Sequence, residues 1–123
     1  MLLVLDSSIL MMAKPNSMNF DEIEKITGRL KLAVPKAIVE ELQQLSKGKG
    51  VKAMRARFAL DLIGKMGIEI IKIDTGKGDY SLLNLANRGE AIIATMDRNI
   101  IENLIRRGKK VVTLRDERPV LLG

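Results

Sequence analysis

The chain opens Met1-Leu2-Leu3-Val4-Leu5-Asp6-Ser7-Ser8, and the reading of that stretch decides the fold. Leu2 to Leu5 is an unbroken apolar run closed by an acid. A strand with one wet face alternates apolar and polar residues, whereas a run apolar at every position suits a strand covered on both faces of a parallel sheet. Similar short apolar runs recur at Leu30 to Val34, Ile68 to Ile73, Ala91 to Thr95 and Val111 to Leu114.

Helical patterns separate these runs. Residues 8–13 form a short helical stretch before the break at Lys14-Pro15-Asn16-Ser17. Asn19 followed by Glu22 reads as a capping box, opening a helix that stops near Gly28. Pro35 suits the first turn of a helix carrying Ile38, Leu42 and Leu45 at helical spacing. After the loop Ser46-Lys47-Gly48-Lys49-Gly50, the residues Met54, Phe58, Leu62 and Ile63 mark an amphipathic helix ending at Gly67. Two more helices are expected, from Asp79 to about Arg88 and from Asp97 to Arg107, the latter stopped by Gly108. Strands alternating with helices predict a three-layer α/β/α domain with a parallel sheet of about five strands. Residues 1–123 read as one domain, a length that buries roughly two-thirds of the unfolded surface.

Composition narrows the chemistry. The chain has 123 residues and no cysteine, histidine or tryptophan. Disulfides, thiolate nucleophiles and thiolate zinc sites are excluded, as are the Ser-His-Asp triad and imidazole ligands. Proton and metal chemistry must come from carboxylates, lysines or water. No apolar run approaches the ~18–20 residues of a membrane span, and no basic stretch precedes the first apolar run as in a signal peptide. The expected location is the cytoplasm.

Ligands of open α/β sheets sit outside the carboxyl ends of the strands, and acids collect there. Asp6 follows the first strand, Asp97 lies two residues past the fourth, and Asp79 opens a helix; Glu40 and Glu41 lie early in the helix after the second strand. An aspartate at a helix start also caps it and complements its dipole, so position alone does not make any one of them functional. Asp74 and Asp116 read as turn residues. Asp6 differs, because a carboxylate closing an all-apolar strand sits at the rim of the core and needs a partner, for which a metal ion is the obvious choice. Pooled carboxylates without His or Cys suit Mg²⁺ or Mn²⁺. The glycine loops Gly48-Lys49-Gly50 and Gly76-Lys77-Gly78 lack the pattern of nucleotide-binding loops.

In order along the chain, Leu3-Val4-Leu5-Asp6-Ser7-Ser8, Val34-Pro35 with Val39-Glu40-Glu41-Leu42, Gly78-Asp79 and Ile93-Ala94-Thr95-Met96-Asp97 resemble the PIN-domain nucleases. The segment Ala94-Thr95-Met96-Asp97-Arg98, followed by a basic helix, resembles most the archaeal and eukaryotic branch that includes endonucleases of small-subunit ribosomal RNA maturation. The resemblance implies an acidic catalytic site of Asp6, Glu41, Asp79 and Asp97, with Glu41 preferred to Glu40 because the family's glutamate directly precedes the leucine. It implies one or two Mg²⁺ or Mn²⁺ ions held by Asp6, Asp79 and Asp97, with Ser8 and Thr95 in support. Many members carry an acid where this chain has Asn99, which still offers a neutral oxygen ligand. The implied activity is metal-dependent endoribonucleolytic hydrolysis leaving 5′-phosphate and 3′-hydroxyl ends. Implied partners are RNA and ribosome-assembly proteins or, for relatives of the VapC toxin type, an antitoxin. A homodimer is expected from the family's habits. A catalytically weak RNA-binding scaffold is the alternative that Asn99 raises. A phospho-receiver domain shares the layout but needs a lysine after the last strand, where Leu114-Arg115-Asp116 stands.

The charge distribution suits a polyanion. The net +6 resolves into −1 for residues 1–42, +5 for 43–67, −2 for 68–97 and +4 for 98–123. The acidic motifs lie in the two negative segments. Lys47, Lys49, Lys52, Arg55 and Arg57 form one basic cluster; Arg98, Arg106, Arg107, Lys109 and Lys110 form another. Such residues supply phosphate contacts without sequence reading. With Phe20, Phe58 and Tyr80 as the only aromatics, base stacking has little to work with.

Overall fold

The strand at Leu2–Leu5 (β1) lies inside the sheet, with neighbours on both sides. In this computed structural model, which describes residues 1–12, 20–72, 78–116 and 118–123, β1 is followed by α1 (Ser7–Met12), α2 (Phe20–Thr27), β2 (Lys31–Pro35), α3 (Lys36–Ser46), α4 (Val51–Lys65) and β3 (Glu69–Ile71). The second half adds α5 (Gly78–Asn87), β4 (Ala91–Ala94), α6 (Arg98–Arg106), β5 (Val111–Arg115) and β6 (Arg118–Leu122). The sheet runs β3-β2-β1-β4-β5-β6. Its first five strands are mutually parallel, and helices cover both faces. The expected α/β/α architecture is the observed one.

The all-apolar strand is explained by burial on both sides. Leu3, Val4 and Leu5 are successive residues pointing alternately to opposite faces, yet none exceeds 1% exposure. Each such leucine contributes roughly 1.5–3 kcal/mol by leaving water. Val34, Ile93, Val111 and Val112 extend the same layer across β2, β4 and β5.

The sheet has six strands, one more than expected. β6 returns antiparallel against β5, pairing Arg115 with Arg118 and Val111 with Leu122. Asp116 is a turn residue as expected; it opens the hairpin turn at a φ of 50°, a conformation aspartate tolerates better than most residues. Pro119 is admissible because β6 is the outer strand. At the opposite edge β3 has only three residues, shorter than the expected Ile68 to Ile73, and Lys31 pairs with Glu69 at 3.0 Å across it.

α4 keeps Leu62 and Ile63 of its expected face against the core but not Met54. Its buried residues are Ala53, Ala56, Ala59 and Ile63, while Met54 is 59% exposed. α4 packs against both α3 and α1, and small side chains permit that close approach where Met54 and Phe58 would hold the helices apart. Arg57 fastens the connection between α3 and α4, donating from Nε to the Ser46 carbonyl and from Nη2 to the Gly48 carbonyl, both at 2.9 Å. The expected break at 14–17, the Asn19 cap and the Asp74 turn lie outside the described residues. Among the described residues no helix is long and apolar enough to cross a membrane.

Candidate active site

Strand order makes the site. From β1 the chain builds outward through β2 and β3, then crosses to the other side of β1 for β4. The boundary between β1 and β4 is therefore the topological switch point, where open α/β sheets bind ligands beyond the strand ends. Leu5 and Ala94 are the last paired residues there. The next residues, Asp6 and Thr95, emerge side by side, with the Asp6 amide donating to the Ala94 carbonyl at 2.9 Å.

Asp6 is 4% exposed and Thr95 fully buried. A buried carboxylate requires donors, and three side chains and amides supply them. The Ser7 amide donates to Asp6 Oδ1 at 2.8 Å. Oδ2 accepts from the Ser8 hydroxyl at 2.9 Å and from the Thr95 hydroxyl at 2.6 Å. Each of these hydroxyls in turn accepts a backbone amide, Met96 N–H on Ser8 at 2.9 Å and Asp97 N–H on Thr95 at 3.0 Å. Since both hydroxyl protons go to Asp6, the 3.2 Å approach of Ser8 and Thr95 is enforced by their shared acceptor. The strand-end amides thus polarise two hydroxyls that converge on one carboxylate oxygen, a mutually strengthening chain.

The same chain positions Asp97. Its Oδ1 caps α6, accepting from the Asn99 amide at 2.9 Å and the Ile100 amide at 3.4 Å. Oδ2 takes no hydrogen bond or ion pair among the described residues. The ordinary capping role therefore uses one carboxylate oxygen and leaves the other uncommitted among the described residues. Asn99 takes part through its backbone amide, with an exposed side chain.

Glu41 approaches from α3. Its Oε1 lies 3.5 Å from the Ser7 hydroxyl, which is also 3.5 Å from Asp6 Oδ1. Ser7 thus stands between the two acids; it was not among the expected site residues, and its only sequence signal was its place next to Asp6. No interaction of this kind involves Glu40. Asp79 is the second residue of α5, a helix whose chain enters from the carboxyl end of β3; its side chain is outside the described residues. Among the described residues no group of three acids is close enough to hold a metal ion. The candidate ligands present are all oxygens, and Asp97 Oδ2 is without a partner among the described residues. That set fits a hard divalent cation completed by further oxygen ligands.

The basic clusters separate by topology. All five parallel strands begin at one rim of the sheet and end at the other. α6 carries the chain back from the carboxyl rim, so Arg98 lies at the acids' end, paired with Glu102 at 3.9 Å. Arg106 and Arg107 lie about 12 Å further along, at 1.5 Å per residue, on the amino rim. α4 leads directly into β3 and so runs toward the amino rim. Its antiparallel partner α3 rises from the carboxyl rim, which puts the tip with Lys47 and Lys49 on the acids' side. Lys52 and Arg55 follow that tip, with Arg55 against Met12 Sδ at 3.8 Å. Arg57 belongs to the same cluster, but its guanidinium is committed to the turn carbonyls.

Comparison with known proteins agrees with this architecture. The PIN domain endonuclease Utp24 superposes with a TM-score of 0.72 at 15% identity, covering 97% of this chain and 89% of Utp24. At that identity the likeness is one of fold. A search of curated protein sequences finds no significant match. The profile of the family described as "PIN like domain" matches residues 3–117, a span that holds β1, the switch point and every acid discussed above, and the chain therefore belongs to the PIN-like domain family.

Proposed function

We propose that the protein is a metal-dependent endoribonuclease acting through Asp6, Glu41, Asp79 and Asp97, and that its substrates are precursor ribosomal RNAs. The observation that carries this reading is the junction of Asp6 and Asp97 through the Thr95 hydroxyl at the β1/β4 switch point. Asp6 and Thr95, 89 positions apart in sequence, are bonded there, and the same hydroxyl accepts the Asp97 amide. Family membership supports nuclease chemistry, and the resemblance to the ribosomal RNA-processing branch supports the substrate.

In this reading Ser8 and Thr95 hold Asp6 in one orientation, and the α6 amides hold Asp97. Asp6, Asp79 and Asp97 would hold Mg²⁺ or Mn²⁺. Such an ion supplies a nucleophile at neutral pH and neutralises charge developing at the scissile phosphate. Glu41, beside Ser7, orients or deprotonates the attacking water. Lys47, Lys49, Lys52 and Arg55, on the hairpin at the acids' end, contact the RNA backbone and raise its local concentration.

The test uses single-stranded and structured RNA with Mn²⁺, with Mg²⁺ and with EDTA, comparing the parent with Asp6→Asn and Asp97→Asn. Cleavage should require metal and both carboxylates. Cleavage that survives chelation or either substitution refutes the mechanism. RNA binding without cleavage in any metal would instead make the protein a scaffold.

A further inference from the structure

The amino rim of the sheet carries cations that the proposed active site cannot use. Leu2 pairs with Lys31 and with Ala91, so β1, β2 and β4 start level, while β5 pairs Val111 with Ile93 and starts two residues further in. The turn before β4 therefore brings Arg88 to this rim, and the turn before β5 brings Arg106, Arg107, Lys109 and Lys110. At about 4.8 Å per strand these are neighbours across two adjacent strands. All are exposed except the half-buried Lys109. Among the described residues none of the five forms an ion pair, whereas Arg29, Lys31 and Lys65, on the β2 and β3 side of the same rim, are paired with Glu24, Glu69 and Asp61. Glu90 is the one acid within the two turns. Basic residues at a helix end complement its dipole, which accounts for Arg88, Arg106 and Arg107 at the ends of α5 and α6 but not for Lys109 and Lys110.

We infer that this rim is a second RNA-backbone contact surface, opposite the catalytic end, that anchors a long substrate without touching the scissile bond. The inference rests on the reading of the protein as an RNA-cleaving enzyme. Concentrated positive charge with no aromatic residue in either turn favours a phosphate backbone over a protein partner. β1 separates the rims by roughly 13 Å of strand, so an oligonucleotide of only about two nucleotides cannot occupy both. A structured or long RNA can pass around the edge of the sheet.

Lysine acetylation footprinting on the full chain carrying Asp97→Asn tests this. Long RNA should protect Lys109 and Lys110 as well as Lys47, Lys49 and Lys52; a dinucleotide should protect none beyond the latter three. In the same background, R106Q/R107Q/K110Q should bind long RNA about tenfold more weakly at low salt. The slope of log affinity against log salt should fall by about 2, the loss of three single-strand phosphate contacts. Circular dichroism of the variant confirms folding, and the footprint of the otherwise unsubstituted protein needs no such check. Equal acetylation of Lys109 and Lys110 with and without long RNA overturns the inference while leaving the active-site proposal standing. Failure of long RNA to bind at all overturns both.

Discussion

Thr95 is the residue on which the two halves of the site meet, and replacing it by valine removes a hydroxyl with almost no change in shape. In the folded protein that hydroxyl donates to a buried carboxylate at 2.6 Å and accepts the Asp97 amide at 3.0 Å. A hydrogen bond to a charged group is worth about 1.5–3 kcal/mol, and a stranded amide costs about 1–3 kcal/mol. Asp6 keeps its Ser7 and Ser8 donors, and Asp97 lies near enough to the surface for water to reach its amide. The expected loss is therefore about 2–4 kcal/mol rather than the full sum. For a chain this size, at about 4 °C per kcal/mol, the melting temperature should fall by roughly 8–16 °C. Thr95→Ser keeps the hydroxyl and gives up only a methyl, about 1 kcal/mol. Thermal unfolding followed by circular dichroism at neutral pH measures both variants. A Thr95→Val protein melting within about 2 °C of the parent, on the same scale, would refute the argument. So would a Thr95→Ser protein falling as far as the valine. Ser8→Ala adds a second arm: because both hydroxyls share Asp6 Oδ2, the double variant should be non-additive by at least ~0.5 kcal/mol.

Other outcomes follow from the same geometry. Mn²⁺ should raise the melting temperature of the parent and leave that of Asp97→Asn unmoved; at a hundredfold excess over the dissociation constant the gain is about 2.7 kcal/mol. An equal gain in both proteins would remove Asp97 from the metal site. Arg57→Ala should cost about 1 kcal/mol by freeing two carbonyls at an exposed turn, read by urea unfolding, with no gain from added salt. Asp116→Val should destabilise by about 1–2 kcal/mol, since a β-branched residue resists the left-handed conformation there, and Asp116→Gly should be close to neutral. Leu5→Ala should cost about 2–5 kcal/mol, as expected for a side chain with no exposure; a smaller loss would mean that the centre of the sheet collapses easily.

Much of this was legible because burial leaves direct marks on composition. The run Leu2 to Leu5 has no polar position to turn toward water, so a covered parallel strand was its only economical reading. Asp6 stood out because it ends such a run. β6 escaped notice because Arg118 and Pro119 hide a strand that needs neither two apolar faces nor a full set of amides at the edge. The alanine part of the inner face of α4 was hidden because alanine carries little hydrophobic signal, although close helix packing favours it. Ser7 looked like any serine after an aspartate, and its contact with Glu41 depends on how α3 leans. Nor could linear order show that the second basic cluster is split, Arg98 standing at the acids' end and Arg106, Arg107, Lys109 and Lys110 at the opposite rim. That distinction depends on which way each helix carries the chain.

The pairing of Asp6 with Thr95 also sets a schedule. Chains emerge from the ribosome amino end first and tend to fold as they appear, and the first strand can meet β2 once Lys31–Pro35 has emerged. Its partner on the other side, β4, is made only after residue 90. Until then Asp6 lacks the Thr95 hydroxyl and Asp97 does not exist, so a nascent chain has no assembled acid pair. Whatever chemistry the pair performs must wait until β4 and the start of α6 have joined the sheet.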